Sequence, residues 1–370
     1  MRNLTQLEIQ ALLDGVNVSD GHPRMPLTES QRAIVDALAA LFVETEKARF
    51  AEVELTAQEA FLHGLGQLEA PTGTGRLLSC YSSSVAMDIV ARTLAGRTRR
   101  VALVHPTFDN IPDLLRARGL DLVPLSEEEL ATGHVDLPDD VGAVFVTTPN
   151  NPTGWVLEET ALRSLAEQCA ATGRVLAIDS CFRGQEPRAQ YDMYAVLDAS
   201  GAEWVVIEDT GKLWPVQELK VGLLAWGHRT RLPLEDAFSD VLLSVSPFVL
   251  LLVTHLARDA NSSGYAQLHQ LVAENRAALA RHLEGTGLAL TDPDARISVA
   301  RLTLPGPGLS QRYYEAILRK GVHTLPCDPF HWARREEGTR YLRISLARSR
   351  DEIELVGRVL ATLGPVDAEQ

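Results

Sequence analysis

Short, continuous apolar runs recur along the first two thirds of the chain, and segments with helical periodicity separate them. Uninterrupted apolar runs are typical of strands that are buried on both faces of a parallel sheet. The runs lie at residues 101–104, 144–146, 175–178 and 204–207. We therefore predict an α/β sheet with right-handed crossovers, whose ligands lie at the carboxyl ends of its strands.

Helical patterns and turn residues divide the rest of the chain. A capping signal at Thr28 opens an apolar-periodic run to residue 49, which predicts a helix. Further helices are predicted at 112–117 and 158–171, and a long one at 265–283 precedes strand-like segments at 297–302 and 341–346. The predicted units are an arm or lid (1–25), a helix joining the small domain (26–50), a large domain (51–255) and a smaller α+β domain (256–370).

Composition narrows the class of protein. With 370 residues and 45% hydrophobic content, the chain can bury a large core. A net charge of −14 argues against nucleic acid as a partner, since phosphate binding depends on basic patches. No segment approaches the roughly 20 apolar residues of a membrane span. The four cysteines have no Cys-x-x-Cys spacing, so we expect reduced thiols in a cytoplasmic protein, with no metal site.

Three anchors in the sequence point to one cofactor chemistry. Asn151 opens the motif Asn-Pro-Thr-Gly, Asp179 follows an apolar run, and Lys212 ends the motif Glu-Asp-Thr-Gly-Lys. Pyridoxal phosphate (PLP) requires a lysine amine to bind its aldehyde, a carboxylate to keep its ring nitrogen protonated, and a polar donor at its phenolic oxygen. Each motif alone is also compatible with an ordinary turn or strand end, but the three in this order predict a PLP site.

On these motifs the chain resembles the fold type I PLP enzymes of the aminotransferase superfamily, over nearly its whole length. The resemblance implies a large domain with a mainly parallel, seven-stranded-type sheet, a smaller α+β domain, and a homodimer. It assigns Asn151 to the phenolic oxygen and Asp179 to the ring nitrogen. It also assigns Arg343, in Leu-Arg-Ile-Ser, to the substrate carboxylate.

The phosphate and ring contacts follow from the same resemblance. Ser82, Ser83 and Ser84 stand where a loop turns into a helix, and a helix N-terminus attracts phosphate. The alternative for these serines is a plain helix cap. Lys220 stands where many relatives have a phosphate-binding arginine. Phe108, two residues after a proline, is the candidate for stacking on the cofactor ring, and its alternative is an ordinary core position.

Two departures narrow the resemblance. Phe182 replaces a tyrosine that bonds the phenolic oxygen in many aminotransferases, and Asp209 replaces a phosphate-binding serine or threonine. Because a phosphate would repel Asp209, we expect this carboxylate to face the substrate, unless it is a structural acid paired elsewhere. With the motifs of the N-terminal arm, these features resemble the PLP-dependent, oxygen-using L-arginine oxidases and hydroxylases of natural-product biosynthesis.

This narrower resemblance implies that the arm closes over L-arginine. Glu8, Asp20 and Asp209 match positions that receive the guanidinium, and Thr5 matches a further arm contact. His22 matches a base that deprotonates a water, although a lone turn histidine is often incidental. Lys212 would remove the Cα proton and dioxygen would accept the electrons. The expected products are 4-hydroxy-2-oxoarginine, or 2-oxoarginine after early release, with ammonia and hydrogen peroxide.

Two alternatives remain open at this point. One is a class I/II aminotransferase that acts on arginine or another basic amino acid and passes nitrogen to a keto acid. The other is a catalytically silent binding or regulatory domain of the same fold. Such domains often lack the lysine or carry a DNA-binding extension, whereas this chain has Lys212 and shows no such extension.

Overall fold

The computed structural model describes residues 3–216, 218–263 and 265–363. The outermost residues of the predicted arm and small domain, 1–2 and 364–370, lie outside the described residues. The strands are β1 (Val16–Asn17), β2 (Leu77–Cys80), β3 (Arg100–His105), β4 (Asp121–Ser126), β5 (Val141–Thr147), β6 (Val175–Asp179), β7 (Glu203–Asp209), β8 (Gly222–Trp226), β9 (Ala289–Leu290), β10 (Val299–Thr303), β11 (Val322–His323), β12 (Leu325–Pro326) and β13 (Tyr341–Ser345).

Helices fill the connections between these strands. They are α1 (Leu4–Gln10), α2 (Glu29–Asp36), α3 (Leu38–Thr45), α4 (Phe50–Gly64), α5 (Ser83–Ala95), α6 (Asn110–Ala117), α7 (Glu127–Ala131), α8 (Glu159–Thr172), α9 (Met193–Ser200), α10 (Leu234–Ser239), α11 (Pro247–Ser263), α12 (Ala266–Leu283), α13 (Ser310–Leu318), α14 (Arg335–Gly338) and α15 (Arg350–Ala361). Short 3₁₀ turns occur at Arg183–Gln185, Pro187–Ala189 and Thr210–Lys212. Among the described residues, no helix combines the length and apolar character needed to cross a bilayer.

A seven-stranded sheet forms the centre of the molecule, in the order β2-β8-β7-β6-β5-β3-β4. Strands β3 to β7 pair in parallel, and β8 runs antiparallel to both β7 and β2. The four apolar runs of the sequence fall within β3, β5, β6 and β7, whose residues are almost entirely buried. The predicted α/β sheet is therefore confirmed, and its buried strands explain the uninterrupted apolar runs.

A four-stranded antiparallel sheet, β12-β13-β10-β9, lies in the C-terminal part of the chain. It contains the strands predicted at 297–302 and 341–346, and α12 matches the predicted long helix. The predicted boundary at residue 255 falls inside α11 (Pro247–Ser263), and the division into domains stays a prediction. The helix predicted from Thr28 to residue 49 is wrong as one element: it is α2 and α3, separated at Ala37, whose ψ of 0° leaves the helical region.

The N-terminal arm is attached to the C-terminal part of the chain by backbone hydrogen bonds. Strand β1 pairs in parallel with β11. The Ser345 N–H donates to the Val18 carbonyl at 2.8 Å, and the Arg24 N–H donates to the Ala347 carbonyl at 2.9 Å. These bonds carry residues 18–24 across the carboxyl edge of the large sheet, where the predicted site residues lie.

Candidate active site

One cavity of about 280 Å³ collects the residues that the sequence singles out. It opens beside the carboxyl edge of the large sheet and is covered on one side by α1 and the arm. Its lining contains every predicted site residue: Thr5, Glu8, Asp20, His22, Ser82, Ser83, Ser84, Phe108, Asn151, Asp179, Asp209, Lys212, Lys220 and Arg343. The fold thus brings the predicted cofactor, substrate and catalytic residues into one place.

Strand ends position the polar side chains of the cavity floor. Asp179 is the last residue of β6, and Asp209 is the last of β7. Asp179 pairs with Thr147 on one side and with Ile207 on the other, so β5 and β6 end level and β7 extends two residues further, to Asp209. Because parallel strands end at a common edge, residues far apart in sequence meet there.

Burial sets the electrostatics of Asp179. Its side chain accepts a hydrogen bond from the Cys181 N–H at 3.1 Å. Burial in the low-dielectric floor raises the pKa of Asp179 to about 6. A cationic partner opposite this carboxylate would offset that cost, which is the role that a protonated pyridine nitrogen would have.

The turn that carries Asn151 is held by a residue that the sequence analysis missed. The Asn150 side-chain amide donates to Glu127 Oε1 at 2.6 Å, and the Thr153 hydroxyl donates to the same oxygen at 2.5 Å. Burial raises the pKa of Glu127 to about 7. Glu127 is one of three consecutive glutamates, and no sequence signal distinguishes it from its exposed neighbours.

The serines lie at the N-terminus of α5, as predicted. Ser82 is the helix cap, and its hydroxyl accepts from the Val85 N–H at 3.4 Å. Asp209 lines the cavity, and its carboxylate accepts from the Ser83 N–H at 3.1 Å and from the Gly211 N–H at 2.6 Å, while its role towards the substrate stays a prediction. Free backbone N–H groups at a helix N-terminus attract a carboxylate, which explains this position.

Two lysines flank the arm histidine. His22 Nε2 lies 3.3 Å from Lys212 Nζ and 2.9 Å from Lys220 Nζ. Burial and the two neighbouring cations hold the pKa of His22 well below its ordinary 6.5. Its imidazole is therefore neutral at physiological pH and can accept a proton. Phe182 lies beneath Lys212, with 5.7 Å between Nζ and the ring centroid.

Arg343 is buried and already carries an anionic partner from the arm. Its Nη2 donates to Glu8 Oε1 at 2.8 Å, and its Nη1 donates to Asn151 Oδ1 at 3.2 Å. The guanidinium carbon lies 5.9 Å from the Phe108 ring centroid and 5.3 Å from that of Phe330. Burial raises the pKa of Glu8, although the Arg343 charge opposes this. The pair thus joins α1 to the end of the substrate cavity.

Asp20 is held by Arg348, a second residue that the sequence analysis missed. Arg348 is fully buried, and it donates to the His22 carbonyl at 2.7 Å, to the Asp20 carbonyl at 2.9 Å and to Asp20 Oδ1 at 3.2 Å. Burial alone would raise the pKa of Asp20, but the Arg348 and Arg24 cations lower it overall. Arg348 lies beyond the Leu-Arg-Ile-Ser motif, and only the fold reveals that it anchors the arm.

Phe108 and Thr5 both line the cavity. Phe108 packs edge-on against Phe330, with ring centroids 5.7 Å apart, and its other side faces the cavity. Thr5 projects from α1, whose start is fixed by the Leu4 N–H donating to Asp109 Oδ2 at 2.8 Å. The position of Phe108 is compatible with ring stacking, and that of Thr5 with a contact from the lid.

The donor set of the cavity fits PLP. Lys212 supplies the amine, and Asp179 supplies a buried carboxylate, which accepts from the Cys181 N–H. The serine hydroxyls at the α5 N-terminus and Lys220 are donors for a phosphate, which would take the Ser83 N–H in place of Asp209. Asn151 reaches the cavity from the side of Arg343. These groups match what the cofactor requires, which is an amine, a carboxylate for the ring nitrogen and a polar donor for the phenolic oxygen, and they add donors for its phosphate.

Comparison with known proteins defines the class. The profile of the family "Aminotransferase class I and II" matches residues 53–359, and the chain belongs to this family. The protein therefore has the α/β structure of a fold type I aminotransferase, and its cofactor is PLP. The predicted fold class and cofactor are confirmed.

Individual relatives refine this picture. The solved structure of MppP soaked with the product 2-ketoarginine is 48% identical, covers 94% of this chain and 99% of its own, and has a TM-score of 0.91. A threonine-phosphate decarboxylase of Sinorhizobium sp. is 27% identical over 53% of this chain. The match spans about half of that relative, 54% of its length. The 3-methylarginine biosynthesis aminotransferase ArgM of Streptomyces arginensis is 31% identical over 29% of this chain and 30% of its own.

Proposed function

We propose that this protein catalyses the PLP-dependent, dioxygen-consuming oxidation of L-arginine in natural-product biosynthesis. The products are 4-hydroxy-2-oxoarginine and 2-oxoarginine, with ammonia and hydrogen peroxide, and the working form is a homodimer. The observation that carries the proposal is the lid: α1 and the arm bring Glu8, Asp20 and His22 into the cavity that holds Lys212 and Arg343. The similarity to MppP, whose product is 2-ketoarginine (2-oxoarginine), supports it.

Charge complementarity favours arginine over a dicarboxylate. Arg343 is a buried cation that suits an α-carboxylate through paired hydrogen bonds. The lid offers Glu8 and Asp20, and a guanidinium presents a planar set of donors that carboxylates accept. A substrate with a carboxylate at one end and a cation at the other complements both Arg343 and the lid carboxylates. A second carboxylate on the substrate would be repelled by Glu8 and Asp20.

The Glu8–Arg343 ion pair indicates how the substrate enters. Because Glu8 holds Arg343 at 2.8 Å, an incoming α-carboxylate must replace Glu8 on the guanidinium. Glu8 is then left as a buried anion, a form that burial already disfavours. The substrate guanidinium supplies the missing cation, so L-arginine exchanges one ion pair for two.

Bound PLP supplies an electron sink for the carbanion that forms at the substrate Cα. Lys212 takes the Cα proton, and Asp179 keeps the ring nitrogen protonated. Neutral His22 accepts a proton from the water that adds at the substrate C4. Each 2-oxoarginine requires one dioxygen and one water, and each 4-hydroxy-2-oxoarginine requires two of each, so one or two hydrogen peroxide molecules balance the electrons.

The substitution Glu8→Gln tests the choice of substrate. It removes the charge that receives the guanidinium, and a hydrogen bond to a charged group is worth about 1.5–3 kcal/mol. We expect Kd for L-arginine to rise by roughly 10- to 100-fold. L-Norleucine, which has no side-chain cation, should bind equally well or better, because Arg343 loses its internal competitor. Titration of the cofactor's visible absorbance with each amino acid measures both effects.

The control for this test is Glu44→Gln, which changes an exposed glutamate on α3 in the same way. It should leave both affinities unchanged. Equal weakening of L-arginine and L-norleucine by Glu8→Gln would contradict the exchange of ion pairs and would make Glu8 a structural residue of the lid.

A further inference from the structure

Outside the cavity, three side chains of metal-ligating type meet between the large sheet and the C-terminal part of the chain. His105 ends β3, His331 lies between β12 and β13, and Glu337 lies in α14. One ligand atom from each lies within 4.8 Å of the others. In the part of the chain that the structure describes, this is the one group of three or more His, Cys, Asp or Glu side chains with such spacing.

The distances in this group suit a small ion. Glu337 Oε2 lies 3.3 Å from His105 Nε2 and 3.6 Å from His331 Nδ1. Zinc bonds of about 2.0–2.1 Å at tetrahedral angles place neighbouring ligand atoms about 3.3–3.4 Å apart. Two of the three separations are thus within a few tenths of an ångström of those in a tetrahedral site. The third, between the two histidines, is at most 4.8 Å and would shorten when the ion binds.

His331 is the feature that an ordinary hydrogen-bonded contact leaves unexplained. Its exposure is 5%, and neither ring nitrogen has a hydrogen-bond partner. The ring is fixed by stacking on Tyr341, with an interplanar angle of 11°, and by an edge contact with His105. Buried polar groups almost always have a partner, and a metal ion would provide one.

The neighbouring cations are already paired. Arg334 donates to Glu337 Oε1, the oxygen that faces away from the histidines, and leaves Oε2 to them. Arg301 forms two hydrogen bonds with Asp292, at 2.6 and 2.7 Å. The Ala333 N–H donates a long hydrogen bond of 3.5 Å to His105 Nδ1. An ion on Nε2 would replace this bond, because Nδ1 would then carry the ring proton.

We propose that His105, His331 and Glu337 bind one divalent transition-metal ion of the zinc class. The ion ties the end of β3 to the segment between β12 and β13. Two imidazoles and a carboxylate are a donor set that zinc accepts, with a fourth position left for water. Phe108 and Phe330, which flank Arg343, are close in sequence to these ligands, so the ion would fix the walls of the carboxylate end of the cavity.

Cysteine spacing, the usual sequence signal for zinc, does not predict this group. The group contains no cysteine, and His105 and Glu337 are 232 residues apart in the chain. The proposal therefore departs from the expectation of no metal site.

The test uses the PLP-loaded protein, treated with EDTA, freed of chelator and unbound cofactor, and titrated with ZnCl₂. Elemental analysis should find one zinc per chain, and zinc should raise Tm. Anomalous diffraction at the zinc edge should place the ion within about 2.2 Å of one atom from each of the three residues. His331→Asn and Glu337→Gln should each lower zinc affinity by at least roughly 10-fold, in line with the loss of a ligand.

His228→Asn is the matched control, because His228 is an exposed histidine that lies 3.9 Å from the carboxylate of Asp198. It should bind zinc like the wild type. Substoichiometric zinc in the wild type, an anomalous peak elsewhere, or unchanged affinity in both ligand variants would overturn the proposal. The diffraction result needs no variant, and Glu337 is partly exposed, so its substitution leaves the core intact.

Discussion

Lys212→Ala is expected to abolish both the visible absorbance of lysine-bound PLP and the consumption of L-arginine. Lys212 lines the cavity together with Asp179 and Asp209, and it is assigned both the cofactor bond and the Cα proton. Loss of a positioned base alone costs about 10²–10⁴-fold, and loss of the covalent link adds to this. We expect a fall in kcat of about 10⁴-fold or more. Absorbance spectra and a coupled peroxide assay measure the two effects.

Lys320→Ala is the control for this substitution, since Lys320 is exposed and follows α13. It should keep the absorbance and the activity of the wild type. Lys220→Ala should keep the lysine-bound band but loosen PLP, because Lys220 is proposed to contact the phosphate. Survival of the band in Lys212→Ala would refute the assignment of Lys212 as the lysine that binds PLP. If, in addition, the band were lost in Lys220→Ala, Lys220 would be the PLP-binding lysine instead.

His22→Ala is expected to shift the products from 4-hydroxy-2-oxoarginine to 2-oxoarginine while oxygen uptake continues. His22 is the neutral base of the arm, so its removal affects the addition of water rather than the loss of the Cα proton. A general base contributes about 10²–10⁴-fold, and we expect the hydroxylated fraction to fall by at least 10²-fold. Mass spectrometry of products formed in H₂¹⁸O measures this, because hydrolysis labels the keto oxygen of both products and the 4-hydroxyl adds a second label. His134→Ala, at an exposed position, is the control.

The pH dependence of the product ratio follows from the same histidine. Because its folded-state pKa lies well below 6.5, His22 stays neutral as pH falls through that value, and the hydroxylated fraction should hold there. It should fall only at lower pH, when the imidazole is protonated. The lowered pKa of His22 also contributes to the free energy of unfolding. This contribution is present above pH 6.5 and is lost as the pH falls towards the lower, folded-state pKa. Unchanged products in His22→Ala would remove His22 from the mechanism.

Buried strands were the most predictable part of the fold. The runs within β3, β5, β6 and β7 are apolar throughout because both faces of these strands are covered. By contrast, β4 is an edge strand with exposed positions and a proline, so it lacks both an apolar run and strict alternation. The break between α2 and α3 at Ala37 has no glycine or proline to signal it.

Cavity residues that stand in sequence motifs were predictable. Residues that reach the cavity or its supports only through tertiary contacts were not. Asn151, Asp179 and Lys212 stand in recognisable contexts after strands, so spacing and chemistry suffice. Glu127 contacts the turn that carries Asn151, and Arg348 contacts the arm. Neither contact can be predicted from the residues that neighbour Glu127 or Arg348 in the sequence. The position of Asp209 depends on the free N–H groups of α5, which appear only once β7 and α5 are packed together.

Oxygen uptake by the PLP-loaded protein on addition of L-arginine, with no keto acid present, distinguishes an oxidase from an aminotransferase. We expect sustained uptake, with at least one dioxygen consumed for each ammonia released and a keto acid product that gains one oxygen in the hydroxylated fraction. An absence of uptake, with turnover that stops after one equivalent until a keto acid is added, would contradict this expectation and would assign the protein as an aminotransferase.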